Sequence, residues 1–233
     1  WQQGKFRQIR YLAEQTELIK LNNNPLDIIT LIDREKKSLI DAEVLKATLN
    51  GENNFVDYLY TLFDEDVVRQ LQATFFIGSS NHWNRSTIFW QIDINGKIRS
   101  GRIILYDPKT GERVTSPFER VAWVHTKLKD PNFRLSQCFF GEHQLKGNKK
   151  PVGVLESEKT AIIMSVFFPQ YIWLACGGKD GLTNKKMEVL IGRTVTLFPD
   201  NGGYELWNEQ IKSLPSGIRF TKVSNLLERK ATA

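Results

Sequence analysis

The chain has 233 residues, 41% of them hydrophobic and 25% charged, enough to bury a core as one large domain or two small ones. Its 32 basic and 26 acidic residues leave a charge of +6 and a pI near 9.2, a mild lean toward polyanionic partners. Two cysteines, Cys138 and Cys176, exclude a disulfide framework and a Cys₄ zinc site and fit a reducing cytoplasm; no signal peptide is present, and no apolar run approaches the roughly 20 residues that cross a bilayer.

A chain that opens on Trp1 rather than Met reads as a piece of a longer protein. Residues 1–72 are polar and helical in pattern. Ile9, Leu12, Ala13, Thr16 and Ile19 approximate an i, i+3, i+4 stripe, broken by Asn22-Asn-Asn-Pro25. A second helical stretch covers 27–50 and stops at Asn50-Gly51. In a third, Phe55, Leu59, Leu62 and Phe63 repeat at helical spacing. This zone reads as packing helices or a linker.

Residues 73–150 change character. Thr74-Phe-Phe-Ile77 and Ile88-Phe-Trp-Gln-Ile-Asp93 are β-rich runs. Asn95-Gly96 is the strongest short hairpin signal, and 97–106 is the returning strand. Asp107-Pro-Lys-Thr-Gly111 is another turn, followed by a less regular segment with Trp123, His125 and Phe133. The zone predicts a small antiparallel sheet with loops. Its basic residues, Lys97, Arg99, Arg102, His125, Lys127 and Arg134 among them, are the candidate nucleic-acid contacts.

Residues 151–233 alternate strand and helix. Strands are expected at 152–155, 171–175, 194–198 and 218–223. Helices are expected after Ser157, which can cap one running to Pro169, and over 184–190 and 204–214. Strands separated by helical patterns predict βαβ units and a parallel sheet, and strands apolar on both faces fit one covered by helices on both sides. The fold class is therefore α/β, α+β overall.

Glu156 and Asp200 each follow an apolar run that passes toward a helix. That places both at the carboxyl ends of strands, where open α/β sheets bind ligands. Two carboxylates on that edge are a minimum for a hard cation such as Mg²⁺, with phosphate completing its shell. Glu158 and Glu205 could add carboxylates, or could simply favour the positive ends of their helices. Gly177-Gly178 after a strand could let the backbone approach phosphate.

The combination of Leu155-Glu-Ser-Glu-Lys-Thr-Ala161 with Leu197-Phe-Pro-Asp-Asn-Gly-Gly203 resembles a Toprim domain, the metal-binding module of bacterial-type primases, topoisomerases and some nucleases. Glu156 stands in the place of that family's glutamate and Asp200 in that of the first aspartate of its Asp-x-Asp pair. Gly202 stands where the second should be. The lobe around Asp93, Gly96 and Arg102 resembles the one preceding Toprim in primase cores. Phe76-Ile-Gly-Ser-Ser, Phe89-Trp-Gln-Ile-Asp, Gly101-Arg-Ile, Trp123-Val-His and Phe140-Gly-Glu-His143 resemble an uncharacterised Bacteroidetes family of Toprim-like, primase-related proteins. That family is associated with mobile elements, and its members commonly carry a zinc ribbon upstream, absent from this chain. The resemblance covers roughly residues 50–225; after the helical region read over 1–72, it implies a primase-core-like antiparallel lobe over 73–150 and a Toprim-like Rossmannoid domain over 151–233. It also implies Mg²⁺- or Mn²⁺-dependent phosphoryl chemistry on DNA or RNA with nucleotide triphosphates. Glu156 would be a metal ligand or general base and Asp200 a metal ligand. A module that binds nucleic acid with weakened or lost catalysis, or a nuclease on the same edge, are the other expectations.

No Cys/His spacing suggests zinc, and no nucleophile elbow or Walker loop is present. Cys176 reads as a small buried residue. Trp83, Trp90 and Trp123 could stack on bases or fill a core.

Overall fold

A computed structural model describes residues 37–49, 51–225 and 229. The chain divides into two compact units, Trp1–Lys37 and Ser38–Ala233. The first lies, Lys37 aside, outside the described residues, and so do the stripe from Ile9 to Ile19, the break at 22–25 and the earlier part of the helix expected over 27–50.

Within the second unit the end of that expected helix is corrected. Ile40 is extended and pairs with Ile98. Asp41 then starts a separate short helix, α1 (Ala42–Lys46), its carboxylate accepting the Glu43 N–H at 2.8 Å. A short polar side chain at an N-cap satisfies an amide that has no partner inside the helix. Asn53 does the same for α2 (Asn54–Leu62), accepting from the Val56 N–H at 3.0 Å and the Thr87 hydroxyl at 2.9 Å. α3 (Glu65–Phe75) ends on Phe76 in the left-handed conformation, φ 51°. The strand expected over 74–77 is therefore wrong: Phe75 is the helix's last buried residue, and β1 (Gly78–Ser80) begins after it. A short apolar run carries no period of its own, so a buried helix end and a buried strand look alike in sequence.

The Asn95-Gly96 hairpin stands as expected between β2 (Ser86–Ile92) and β3 (Ile98–Ile104). Asp93 holds it. One carboxylate oxygen accepts the Asn95 and Lys97 amides, both at 2.9 Å, and the other takes Arg99. Gly96, at φ 77°, supplies the left-handed residue that the turn needs. With β4 (Val121–Trp123) these strands form an antiparallel sheet ordered β1-β2-β3-β4. α4 (Val124–Lys127) follows directly.

The last zone folds as its pattern predicts. β5 (Val152–Leu155), α5 (Glu158–Phe167), β6 (Ile172–Ala175), α6 (Asn184–Met187), β7 (Thr194–Phe198), α7 (Tyr204–Gln210) and β8 (Arg219–Val223) follow in turn. The strands form an all-parallel sheet ordered β6-β5-β7-β8, so the protein is a mixed α/β fold. Alternate residues serve opposite faces. Val152, Val154, Ile172 and Leu174 pack with Met187, Leu190 and Trp207. Leu155, Trp173 and Ala175 pack with α5 and, in the same cluster, with Phe55, Phe75, Phe89 and Tyr106. A single core thus joins both sheets and draws on all three sequence zones. No helix among the described residues is long and apolar enough to cross a membrane.

Gly153 pairs with Trp173 across β5 and β6, and the indole covers it: a Cβ at 153 would stand 2.4 Å from the ring. The ring is buried and its N–H is committed to the Phe168 carbonyl at 3.0 Å, so it has nowhere to move. Gly153→Ala is expected to cost about 1–3 kcal/mol through overpacking, read as a lower urea midpoint at unchanged slope.

Candidate functional site

Leu155 stands level with Ala175 on one side and Phe198 on the other. Three neighbouring strands therefore end together, and the loops that follow meet. Glu156 is the first residue after β5. Ser157 caps α5, its hydroxyl accepting the Thr160 N–H. Asp200 lies two residues after β7, and its N–H donates to Glu156 Oε1 at 3.1 Å. The Gly177 N–H donates to the Glu156 carbonyl at 2.9 Å. A cleft of about 70 Å³ is lined by Glu156, Ser157, Glu158, Gly177, Gly178 and Asp200 on this side. Arg102, Ile104, Tyr106 and Arg113 line the other. Residues 102, 104 and 106 are alternate positions along β3 and just beyond it, so one face of the antiparallel sheet forms the opposite wall.

The turn after β7 is shaped around Glu156. The Gly203 N–H closes it on the Asp200 carbonyl at 2.9 Å, with Gly202 at φ 81°. A turn that requires a left-handed residue at this place explains a glycine where the resemblance calls for a second aspartate. Gly203 is needed for a different reason: a Cβ there would lie 2.9 Å from Glu156 Oε1.

Both carboxyl groups are pushed above their ordinary pKa, mainly by burial. For Glu156 the Asp200 N–H opposes that shift and the Asp200 charge adds to it. For Asp200 the nearby cations of Arg113 and Lys159 oppose it. Lys159 is itself pushed down by burial. Its ammonium donates to the Gly111 carbonyl at 2.7 Å and lies over the Tyr58 and Tyr106 rings.

The remaining expected residues separate. Glu158, 4% exposed, pairs with Arg102, 14% exposed, at 3.3 Å. Its charge is spent on that partner. Glu205 is exposed on the first turn of α7 and does not line the cleft. Among the described residues no group of three or more His, Cys, Asp or Glu side chains could hold a metal. Arg99 is paired with Asp93 at 2.6 Å inside the hairpin. His125 bonds the Ser100 hydroxyl at 2.7 Å and stacks on Phe133. Lys97, Lys127 and Arg134 are exposed but outside the cleft. Trp90 is fully buried. The sequence reading did not single out Arg113, Tyr106, Lys159 or Gly203 for the site. Arg113 carried a weak signal, as the first cation after the Asp107–Gly111 turn.

A family model described as a domain of unknown function (DUF6371) matches residues 53–201, well over half of the chain. The match runs from the cap of α2 to the residue after Asp200 and includes every residue that lines the cleft. No curated protein matches the chain.

The raised pKa of Glu156 means that its charged form weakens the fold. The destabilisation is present above the folded-state pKa and vanishes below the unfolded value. Glu156→Gln keeps an oxygen to accept the Asp200 N–H. It is expected to raise the melting temperature at neutral pH, with the gain shrinking as pH falls through the carboxylate range; thermal melts across pH check this.

Proposed function

The chain belongs to the DUF6371 family, and we propose that it is a Toprim-like, primase-related nucleic-acid protein that binds phosphate groups through one Mg²⁺ or Mn²⁺ ion. The observation that carries this reading is the meeting of Glu156 and Asp200 in one small cleft that faces Arg102 and Arg113. Two desolvated carboxylates favour a cation, while opposite them Arg113 offers a positive charge and Arg102, paired with Glu158, offers further donors to an anion. A metal–phosphate pair satisfies both walls at once.

The donor set suits one ion. Mg²⁺ is commonly held by one or two carboxylates together with substrate phosphates and water. Glu156 and Asp200 would hold it, and Glu158 takes no part because it is paired with Arg102. A bound ion supplies charge neutralisation at phosphate oxygens during an in-line displacement. Glu156 has Oε1 engaged by the Asp200 amide, which leaves Oε2 for the metal or for a proton. Arg102 and Arg113 orient the phosphate. Nucleotidyl transfer with nucleotide triphosphates on DNA or RNA, in the replication of a mobile element, is the activity that the resemblance attaches to such a site. A cytoplasmic location suits two buried free thiols.

A second reading has its own support. Gly202 replaces the second aspartate in a turn that demands a positive φ, and no third carboxylate joins the pair among the described residues. That favours a nucleic-acid-binding module with little or no turnover. A nuclease using the same edge is the remaining form.

Calorimetric titration of Mg²⁺ and Mn²⁺, with and without single-stranded DNA and nucleotide triphosphates, tests the reading. Binding should tighten with nucleotide and disappear in Glu156→Gln/Asp200→Asn. Gly203→Ala should weaken it about ten- to a hundredfold by displacing the Glu156 carboxylate, the size typical of lost support around a ligand. Unchanged metal binding in the double variant would put the metal elsewhere. Salt-sensitive DNA binding without any metal heat would select the binding module.

A further inference from the structure

We propose that the basic half of the cleft is a seat for a terminal phosphate group, built separately from the carboxylate pair and able to hold the anion without a metal. The proposal rests on reading the cleft as a phosphate site and adds which phosphate, and which atoms hold it.

The backbone after β6 is held in place by its carbonyls. Lys186 Nζ donates to the Cys176 carbonyl at 3.0 Å, and Arg102 donates to that of Gly177 at 3.0 Å. The Cys176 thiol donates to the Gly178 carbonyl at 3.1 Å, and the Trp207 indole donates to that of Lys179 at 2.8 Å. Four successive carbonyls are thus held by donors from the protein. The N–H groups of Gly178, Lys179 and Asp180 have no acceptor among the described residues. Gly178 lines the cleft at φ 144°. A Cβ there would meet nothing within 4 Å, so glycine is required for the direction of the backbone and not for space.

The side chains agree. Arg102 Nε is buried without an acceptor, a costly condition that a ligand oxygen would relieve. Arg113 is exposed at the lip and has no hydrogen bond or ion pair among the described residues. The cleft, about 70 Å³ in volume, has room for a phosphoryl group. A phosphomonoester or polyphosphate end offers three oxygens and up to two charges to two arginines. An internal diester offers two oxygens and one charge.

Glu156 and Asp200 face the same space and oppose an anion until a cation neutralises them. Removing their charges therefore has opposite effects on the two ligands: metal binding is lost and metal-free phosphate binding is strengthened. This separates the seat from the metal site, since either can fail alone.

The test is equilibrium binding, in EDTA, of two identical single-stranded oligonucleotides, one with a 5′-phosphate and one with a 5′-hydroxyl, to the full chain and to Glu156→Gln/Asp200→Asn. The double variant should bind the phosphorylated strand about tenfold tighter than the wild type does, the scale expected from removing like charges in a partly screened cleft. It should prefer that strand to the hydroxyl form, and inorganic phosphate should compete. Arg113→Ala in the same background, an exposed change that leaves the core intact, should abolish the preference. Competition by a nucleoside triphosphate against the phosphorylated strand identifies the source: the stronger competitor supplies the terminal phosphate. Equal binding of the two strands by the double variant, or a preference indifferent to Arg113, overturns the proposal.

Discussion

The pairing of Leu155 with Ala175 on one side and Phe198 on the other sets everything around the cleft. Parallel strands hydrogen-bonded at the same level must release their chains at the same level. The residues just past them are then brought together whatever their chemistry. Here those residues are Glu156, the Gly177-Gly178 turn and Asp200, and the backbone stitches the loops again: Gly177 N–H to the Glu156 carbonyl, Asp200 N–H to the Glu156 carboxylate. Glu156 is the hub, bonded through its main chain to one loop and through its side chain to the other.

The antiparallel sheet is the second half of that constraint. Its strand β3 carries Arg102 and Ile104 on one face, Ile104 anchored in the common core and Arg102 beside it in the cleft. Arg102 then ties the sheets together, reaching Glu158 on α5 and the Gly177 carbonyl after β6. A buried pair of this kind costs desolvation on both sides and gives specificity of placement more than net stability. What it fixes is where a guanidinium stands relative to the carboxylate edge. The aromatic contacts behind it, Phe89 edge-on to Phe55 and Phe140 and close to Tyr106, join the wall bearing Arg102 to the helices beneath.

The two walls carry opposite electrostatic strain. Burial raises Glu156 and Asp200 above their ordinary pKa, and Arg102 keeps a buried nitrogen without an acceptor. Neither strain is relieved inside the protein, although Glu158 sits close enough to have been arranged otherwise. A cation at the carboxylates and an anion at the arginines, as proposed, would relieve both.

The sequence by itself determined the parallel half and the hairpin. Strands buried on both faces are continuous apolar runs, and Asn95-Gly96 turns wherever alternating strands flank it, because only such a pair adopts the left-handed backbone cheaply. Glu156 and Asp200 were legible for the same reason: a carboxylate that ends a buried strand can only emerge at the sheet's edge. The sequence misread 74–77, where an apolar run closes a helix. It also left Glu158 open, since a carboxylate beside Glu156 looks equally able to bind a metal until Arg102, 56 positions away, is placed against it. Arg113 at the lip and Gly203 against Glu156 were likewise decided by tertiary structure alone. Their roles rest on distances between segments that share no period, cap or turn, and local sequence carries no information about those distances.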